Sequence, residues 1–261
     1  MRLSFSSVLL AVAAFATIAT ATPALSDEVN LYSSRQESLI RPILDDFEKD
    51  TGTKVNVVFA KSGMLERLKS EGANSPADAV LTVDISRIAA HKEAGVLQAI
   101  QSETLGENIP AHFRDPEGEW YGLSARSRII FYSKERVKPS ELSTYEDLAD
   151  PKWKGRICVR SSSNAYNQSL LASIVAHDGA EAAEKWAQGI KDNLARKPQG
   201  GDRDQIKAVA AGECDIAIAN TYYFGGMMNS DDPEQLAAAE KVALFWPNQD
   251  GRGAHVNISG A

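Results

Sequence analysis

The sequence predicts an α/β protein made of two lobes. Short apolar runs alternate with amphipathic helical segments in the first part of the mature chain, and a second series of strands and helices begins near residue 157. Alternation of this kind is typical of parallel sheets whose strands are joined by right-handed helical crossovers. The chain has 261 residues, which is enough for one large domain or for two lobes.

The first lobe is predicted to cover residues 27–125. Its strands are short apolar runs, and a pattern with helical period follows each of them. In order, we predict a strand at Val29–Tyr32, a helix at Leu39–Asp50, a strand at Val55–Phe59, a helix at Met64–Glu71, a strand at Ala79–Thr82 and a helix at Ile85–Ala94. Asp84 is expected to cap the last of these helices.

The second lobe is predicted to cover residues 126–247, with the crossing between lobes near the strands Trp120–Leu123 and Ile129–Tyr132. The remaining predicted segments are a strand at Arg156–Val159, helices at Gln168–His177, Ala180–Ile190 and Asp204–Ala211, a strand at Cys214–Ala219 and a strand at Leu244–Pro247. Residues 248–261 are expected to start a return into the first lobe. They end inside a strand-like pattern, so we interpret the chain as truncated.

Residues 1–26 have the pattern of a secretory signal peptide. A basic Met1–Arg2 precedes the apolar stretch Val8–Ala21, and small residues suited to cleavage stand just before Asp27. The apolar stretch is too short for a stable membrane span. We therefore predict that the mature protein starts near Asp27 and is exported.

The net charge argues against one class of partner, and the cysteine content leaves two structural possibilities. The net charge is -7 and the pI is about 5.2, which argues against nucleic acid as a partner. The two cysteines, Cys158 and Cys214, both lie in the mature part. In an oxidising compartment they could form a disulfide, and two separate buried thiols fit the sequence equally well.

Three tyrosines are the candidate metal ligands. Tyr222 and Tyr223 follow the predicted buried strand Cys214–Ala219, and Tyr166 stands upstream. Side chains at the end of such a strand lie at the rim of a sheet, where α/β proteins bind ligands. Phenolate oxygen is a hard donor that suits hard cations, and three phenolates neutralise a trivalent ion. The pattern indicates ferric iron, and the simpler alternative is that the tyrosines only pack and hydrogen-bond.

A set of short motifs resembles the periplasmic ferric-binding proteins, the iron-capturing components of bacterial ABC importers. The motifs are Leu31–Arg35, Pro76–Val80, Leu81–Asp84, Arg126–Arg128, Trp153–Gly155, Tyr166–Ser169 and Asn220–Tyr223. The resemblance covers residues 29–261, and the combination that ends in Asn-Thr-Tyr-Tyr is specific. It implies a two-lobed type II periplasmic-binding-protein fold with a hinge and an interlobe cleft. It also implies a periplasmic monomer that delivers Fe(III) to an inner-membrane ABC permease.

The same resemblance assigns the metal ligands. Tyr222 and Tyr223 match the two consecutive tyrosine ligands of the family, and Tyr166 matches the further ligand of its tyrosine-rich subgroup. The first-lobe histidine of the family is absent, because Gln36 and Glu37 stand in its place. Glu37 is therefore a further candidate oxygen ligand.

The missing histidine also implies a synergistic anion, with carbonate as the expected one. Arg126 matches an anion-binding arginine of the family, and Arg35 and Arg128 are further candidates. A guanidinium group can offset the charge of such an anion through two parallel hydrogen bonds.

Two other functions compete with iron capture. A binding protein for a small anion or a polyamine would use Arg126 or acidic and aromatic side chains without phenolate ligation. A secreted enzyme is the alternative from another class. The sequence contains no Ser-His-Asp ordering, no HExxH and no Gly-x-Ser-x-Gly. We therefore predict a binding protein that is not an enzyme.

Overall fold

The computed structural model describes residues 28–261, and the predicted signal peptide lies outside this range. The strands are β1 (Glu28–Ser33), β2 (Lys54–Phe59), β3 (Ala79–Leu81), β4 (Gly122–Ser133), β5 (Ile157–Cys158), β6 (Ile216–Asn220), β7 (Val242–Phe245) and β8 (Val256–Gly260). The α-helices are α1 (Glu37–Thr51), α2 (Met64–Glu71), α3 (Ile85–Glu93), α4 (Glu103–Asn108), α5 (Ala165–Asp178), α6 (Ala180–Asp192), α7 (Asp202–Ala211), α8 (Thr221–Met228) and α9 (Pro233–Glu240). Within this range no helix has the length and apolar character needed to cross a membrane.

The first sheet is parallel and has the strand order β2-β1-β3. β1 lies between its two partners and pairs in parallel with both. The helices α1 and α2 follow β1 and β2 in the chain, so each strand-to-strand connection contains a helix. The predicted alternation of parallel strands and helical crossovers is confirmed for this sheet. Asp84 caps α3 as expected, since its side chain accepts a hydrogen bond from the backbone N–H of Ser86.

The second sheet is mixed and has the order β5-β6-β4-β7. β5 and β6 are parallel, whereas β4 runs antiparallel to both β6 and β7. Successive β4 side chains point to opposite faces of this sheet. Ile130 and Tyr132 lie in a core that contains Trp153, whereas Ile129 and Phe131 lie in a core that contains Val209. The sheet is therefore covered on both faces, which gives the helices at its edge a rigid support.

One long strand connects the two parts of the molecule. Residues 122–127 of β4 pair with β8, and residues 128–133 pair with β6 and β7. β8 in turn reaches the first sheet through the bridge between Thr82 and Gly260. The prediction of two separate strands, Trp120–Leu123 and Ile129–Tyr132, was therefore wrong. The polar run between them resembled a break, but it is the stretch in which a continuous strand exchanges one set of partners for another.

The structure also corrects several helix and strand boundaries. Helices α4, α8 and α9 were not predicted, and the strand expected at Leu244–Pro247 is Val242–Phe245. For α9 the sequence contains a helix-start signal, because Asp232 is the N-cap and Pro233 is the first helical residue. In α8 the signal was weak, because two glycines stand in the middle of the helix.

The structure contains the Cys158–Cys214 disulfide, which the sequence left open against two separate thiols. Cys158 belongs to β5, and Cys214 stands two residues before the start of β6. Both residues are buried. The bond joins chain segments separated by 56 positions, across the two adjacent parallel strands. It therefore restrains the unfolded chain and reinforces the strand pair that leads to Tyr222 and Tyr223.

We expect the double variant Cys158→Ala, Cys214→Ala to unfold more easily. The chain-entropy account gives a loss of about 4 kcal/mol in the free energy of unfolding for a loop of this size. Urea denaturation with and without a reductant measures it. Reductant should lower the midpoint of the wild type towards that of the variant and leave the variant unchanged. The expectation would be contradicted by a wild-type unfolding midpoint that does not change with reductant and equals that of the variant.

Candidate metal site

The structure brings Tyr166, Tyr222 and Tyr223 together. Tyr166 lies in the first turn of α5, where its backbone N–H donates a hydrogen bond to the side-chain oxygen of Asn164 at 3.0 Å. Tyr222 donates a hydrogen bond to the hydroxyl of Tyr166 at 3.4 Å, and its ring centroid lies 4.3 Å from that of Tyr223.

The pair was expected at the end of a strand, and it lies in the first turn of α8, just after β6 ends at Asn220. Two helix N-termini therefore converge on the three phenols. Their positive partial charge favours negative charge bound at this place.

The hydroxyls of Tyr222 and Tyr223 are set to stay protonated until a cation arrives. Burial raises the pKa of Tyr222 well above its ordinary value, and hydrogen bonding with Tyr166 and Tyr223 raises it further. Although Tyr222 as a whole is 42% exposed, its hydroxyl lies among these neighbours. Burial also raises the pKa of Tyr223. A metal that binds here must displace protons, so its affinity falls as the pH falls.

Three arginines surround the ring of Tyr166. The guanidinium carbons of Arg126, Arg128 and Arg160 lie 5.3, 6.0 and 5.4 Å from the ring centroid. A cation over an aromatic ring is attracted by the negative face of the ring. These three cations share two carboxylates, because Asp84 pairs with Arg126 while Asp202 pairs with both Arg128 and Arg160. One positive charge is left in excess, which favours a bound anion.

Arg128 does not have a free N–H for an anion, although it was a candidate. Its side chain is 2% exposed, and all five of its N–H groups have protein acceptors. Nε and Nη2 donate to Asn167 at 3.1 and 2.7 Å. Nη1 donates to Asp202 and Asn220, and Nη2 also donates to the carbonyl of Ile218. Arg128 therefore supports the site and is not available to the ligand.

Arg126 keeps one side of its guanidinium group free of protein partners. Nη2 donates to Asp84 at 2.9 Å, whereas Nη1 is buried and has no hydrogen-bond partner in the described residues. Nδ2 of Asn220 and Nε2 of His255 are also buried and have no hydrogen-bond partner in the described residues. Arg126, Asn220 and His255 line one small cavity together with Arg128, Tyr166 and Asn257. Its volume of about 10 Å³ holds one water-sized group, so a carbonate needs the cavity to widen.

His255 was not a predicted site residue, and the structure places it at this cavity. Burial lowers its pKa to about 4, and the neighbouring Arg128 and Arg126 contribute to the shift against the opposing effect of Asp84. The imidazole is therefore neutral at neutral pH and does not add to the positive charge around Tyr166.

The two first-sheet candidates lie apart from the phenols. Arg35 follows β1 and donates to Ser124 at 3.1 Å. Glu37 opens α1, is 61% exposed at its side chain and pairs with Arg41 at 3.5 Å. Within residues 28–261 neither side chain makes a hydrogen bond with the three tyrosines, so the structure does not bring them into the tyrosine cluster.

A cluster of three acidic side chains away from the tyrosines is paired with a lysine of the same chain. Among the described residues, Asp115, Glu117 and Glu119 are the one group of His, Cys, Asp or Glu side chains close enough to share a metal. Nζ of Lys92 lies 2.7 Å from both Asp115 and Glu117 and 3.5 Å from Glu119. The ammonium group neutralises much of this charge, so we do not assign a metal to the cluster.

Arg160 and Arg203 were not predicted at the site. Arg160 comes just after β5, a position at the carboxyl end of a strand that could have marked it. Arg203 lies on α7, with its guanidinium carbon 5.1 Å from the ring centroid of Tyr223. It follows Asp202 in the chain, and nothing in its spacing indicates the contact with Tyr223.

The two sheets, joined by β4 and β8 and carrying a polar site at their strand ends, define a solute-binding protein of the type II periplasmic class. Residues 74–259 match the family model for bacterial extracellular solute-binding proteins. The chain is 54% identical to iron uptake protein A1 of Synechocystis sp. over 92% of this chain and 67% of that protein. It is 33% identical to the major ferric iron-binding protein of Neisseria meningitidis, over 100% of this chain and 76% of the relative.

A solved structure gives the same result. The Trichodesmium FutA (IdiA) protein in complex with iron and citrate has a TM-score of 0.85 and 55% identity, with 89% of this chain and 74% of that chain covered. The chain therefore belongs to the bacterial extracellular solute-binding proteins, in the branch of periplasmic ferric-iron-binding proteins.

We expect Arg128→Met to lower the free energy of unfolding by about 3 kcal/mol, because it removes the main partner of the buried Asp202 carboxylate. The matched control is Arg160→Met, which removes a longer pair with the same carboxylate at 3.3 Å from a side chain that is 19% exposed. The control should lose about 1 kcal/mol or less. Urea denaturation measures both. Equal unfolding midpoints for the two variants would contradict this role of Arg128.

Proposed function

We propose that the protein captures Fe(III) in a cleft between its two lobes and delivers it to an ABC permease of the inner membrane. The observation that carries the proposal is the meeting of three tyrosine side chains at two helix N-termini, with the hydroxyls of Tyr222 and Tyr166 3.4 Å apart. Similarity to iron uptake and ferric-binding proteins supports the same cargo.

The proposal includes the lobe boundaries and the cellular location. The first lobe is residues 27–125, the second is residues 126–247, and residues 248–261 return towards the first lobe. The long strand β4 and its partner β8 support a hinge at this place, because they pair with each other and each also pairs with one sheet. Removal of residues 1–26 would leave a monomer in the periplasm that binds and releases its cargo without chemical change, and so is not an enzyme.

Phenolate charge is the basis of the affinity. Tyr166, Tyr222 and Tyr223 together supply three negative charges, which match the charge of Fe(III) and leave little uncompensated charge in the cleft. The ion lowers the pKa of each phenol by direct attraction, so binding releases protons and acid reverses it. The N-termini of α5 and α8 add favourable positive potential behind the phenolate oxygens.

An anion completes the coordination. Glu37 is exposed and paired with Arg41, so the first lobe does not offer an obvious oxygen ligand. Arg126 has one buried nitrogen without a protein partner next to Tyr166. A synergistic carbonate bound to this nitrogen is the simplest source of the missing ligand. The Trichodesmium relative, in complex with iron and citrate, supports an anion beside the metal.

The second candidate function is a carrier of a small anion without metal. The excess positive charge of three arginines over two carboxylates favours it and argues against a polyamine. Colour distinguishes the two candidates, because only a ferric phenolate absorbs visible light. The next experiment therefore separates them directly.

We expect Fe(III) to produce a visible charge-transfer band in the wild type. Tyr222→Phe and Tyr223→Phe should shift or abolish the band and retain iron much more weakly, and Tyr166→Phe should at least shift it. Each change keeps the ring and deletes the oxygen, so packing alone predicts an unchanged spectrum and a stability loss of about 1 kcal/mol.

Tyr132→Phe is the matched control for this series, because Tyr132 is buried in the sheet core away from the cluster. It should keep the wild-type spectrum and retain iron. Acidification should bleach the loaded wild type as protons displace the ion. Three site variants with the spectrum and retention of the control would exclude tyrosine ligation and favour the anion carrier.

Arg126→Ala should weaken iron retention and remove its dependence on bicarbonate. The reason is that the variant loses the buried cation that would hold the anion beside Tyr166. Iron loss to a chelator, followed in buffers with and without bicarbonate, measures the effect. Arg35→Ala is the control and should behave like the wild type, since Arg35 contacts Ser124. If Arg126→Ala retains iron as well as the wild type with bicarbonate, and loses as much retention as the wild type without it, Arg126 has no role in holding the anion.

A further inference from the structure

A single direct hydrogen bond joins residues 28–121 to residues 134–250 in the described part of the chain. The hydroxyl of Ser169 on α5 donates to Oδ1 of Asp84 at 3.1 Å. Asp84 stands at the start of α3, beside the first sheet, whereas α5 packs on the second sheet. In the described residues, the other hydrogen bonds that link these two parts pass through residues 122–133 and 251–261. The Ser169–Asp84 bond is therefore the place where the cleft can be fastened away from the hinge.

The Asp84 carboxylate is saturated with donors. It is 0% exposed. Oδ2 accepts from Nη2 of Arg126 at 2.9 Å and from Nδ2 of Asn257 at 3.1 Å. Oδ1 accepts from the backbone N–H and the hydroxyl of Ser86 at 3.1 and 2.7 Å, in addition to Ser169. Without Ser169 four donors remain, so the carboxylate stays satisfied when the two parts separate.

The same bond is connected to the candidate site on both sides. Ser169 lies one helical turn after Tyr166 on α5, so a displacement of one moves the other. Asp84 holds Arg126, whose guanidinium carbon lies 5.3 Å from the ring centroid of Tyr166. Formation of the Ser169–Asp84 bond thus places the arginine and the tyrosine next to each other.

We propose that Ser169 and Asp84 form a latch that holds the cleft closed and positions Arg126 against Tyr166. The inference rests on the proposed function, in which the cleft closes over Fe(III). Both are positioning residues, since neither has to touch the cargo. Opening breaks one hydrogen bond to a carboxylate and returns the Ser169 hydroxyl to water. The latch therefore slows release and still permits it.

The test compares Ser169→Ala with two matched variants. Ser173→Ala removes the hydroxyl one turn further along α5, which bonds only to the carbonyl of Leu170 within the helix. Ser169→Thr keeps a hydroxyl at the latch. Each protein is loaded with Fe(III) from ferric nitrilotriacetate. The band position, the rate of iron loss to excess EDTA, and the radius of gyration with and without iron are measured.

We expect Ser169→Ala to keep the wild-type band. It should lose iron about tenfold faster, because it lacks one hydrogen bond to a charged group. Its radius of gyration without iron should exceed that of the wild type. Ser173→Ala and Ser169→Thr should match the wild type in both measurements.

The outcomes separate the latch from the proposed function. A Ser169→Ala protein that forms the band, releases iron at the rate of Ser173→Ala and has the wild-type radius of gyration would overturn the latch alone. The absence of a band in every protein, the wild type included, would overturn the proposed function. The comparison of metal-free radii still decides the latch in that case, because it does not depend on iron. An unchanged radius would overturn it, and a larger radius for Ser169→Ala alone would support it.

Discussion

The buried guanidinium group of Arg128 is the interaction on which the site depends. From β4 it contacts α5 through Asn167, α7 through Asp202 and β6 through Asn220 and the carbonyl of Ile218. Asn167 is the neighbour of Tyr166, and Asn220 stands two residues before Tyr222. A planar group with five donors is the one side chain that can fix four elements from a single point. The tyrosines are therefore oriented by a charge that no ligand reaches.

Positive charge around a proposed cation site is at first sight a contradiction. It is reduced by ion pairing, because Asp84 and Asp202 offset two of the three positive charges around Tyr166. Burial keeps the hydroxyls of Tyr222 and Tyr223 protonated without a cation, so these two phenols become charged only when a cation displaces their protons. The two carboxylates hold these arginines in place and leave one positive charge for the proposed anion.

The first sheet and the meeting of the three tyrosines were largely predictable from the sequence. Strands and helices in the first lobe show clear apolar periods, and Tyr166, Tyr222 and Tyr223 follow recognisable strand patterns. The single long strand β4 was not predictable, because its polar residues Ser124–Arg128 have no alternation that marks a half-buried strand. The partners of the arginines were not predictable either, because Arg128 pairs with Asp202 at a separation of 74 positions and Arg126 pairs with Asp84 at a separation of 42. Local patterns do not encode such pairings.

The two lobes make unequal contributions to the proposed function. All three tyrosines lie on helices α5 and α8 beside the second sheet, and the arginines that surround Tyr166 lie on β4 or just after β5. The first lobe meets this side through Asp84. A ferric ion could therefore load onto the second lobe while the cleft is open. Closure would then add the Ser169–Asp84 bond and bring Arg126 into position, without a new protein ligand to the metal. In such a division the second lobe determines which ion binds, and the first lobe determines how long it is kept. On the proposed function, separation of the lobes breaks the Ser169–Asp84 bond and moves Arg126 away from Tyr166, while the three phenolates of the second lobe still hold the ion.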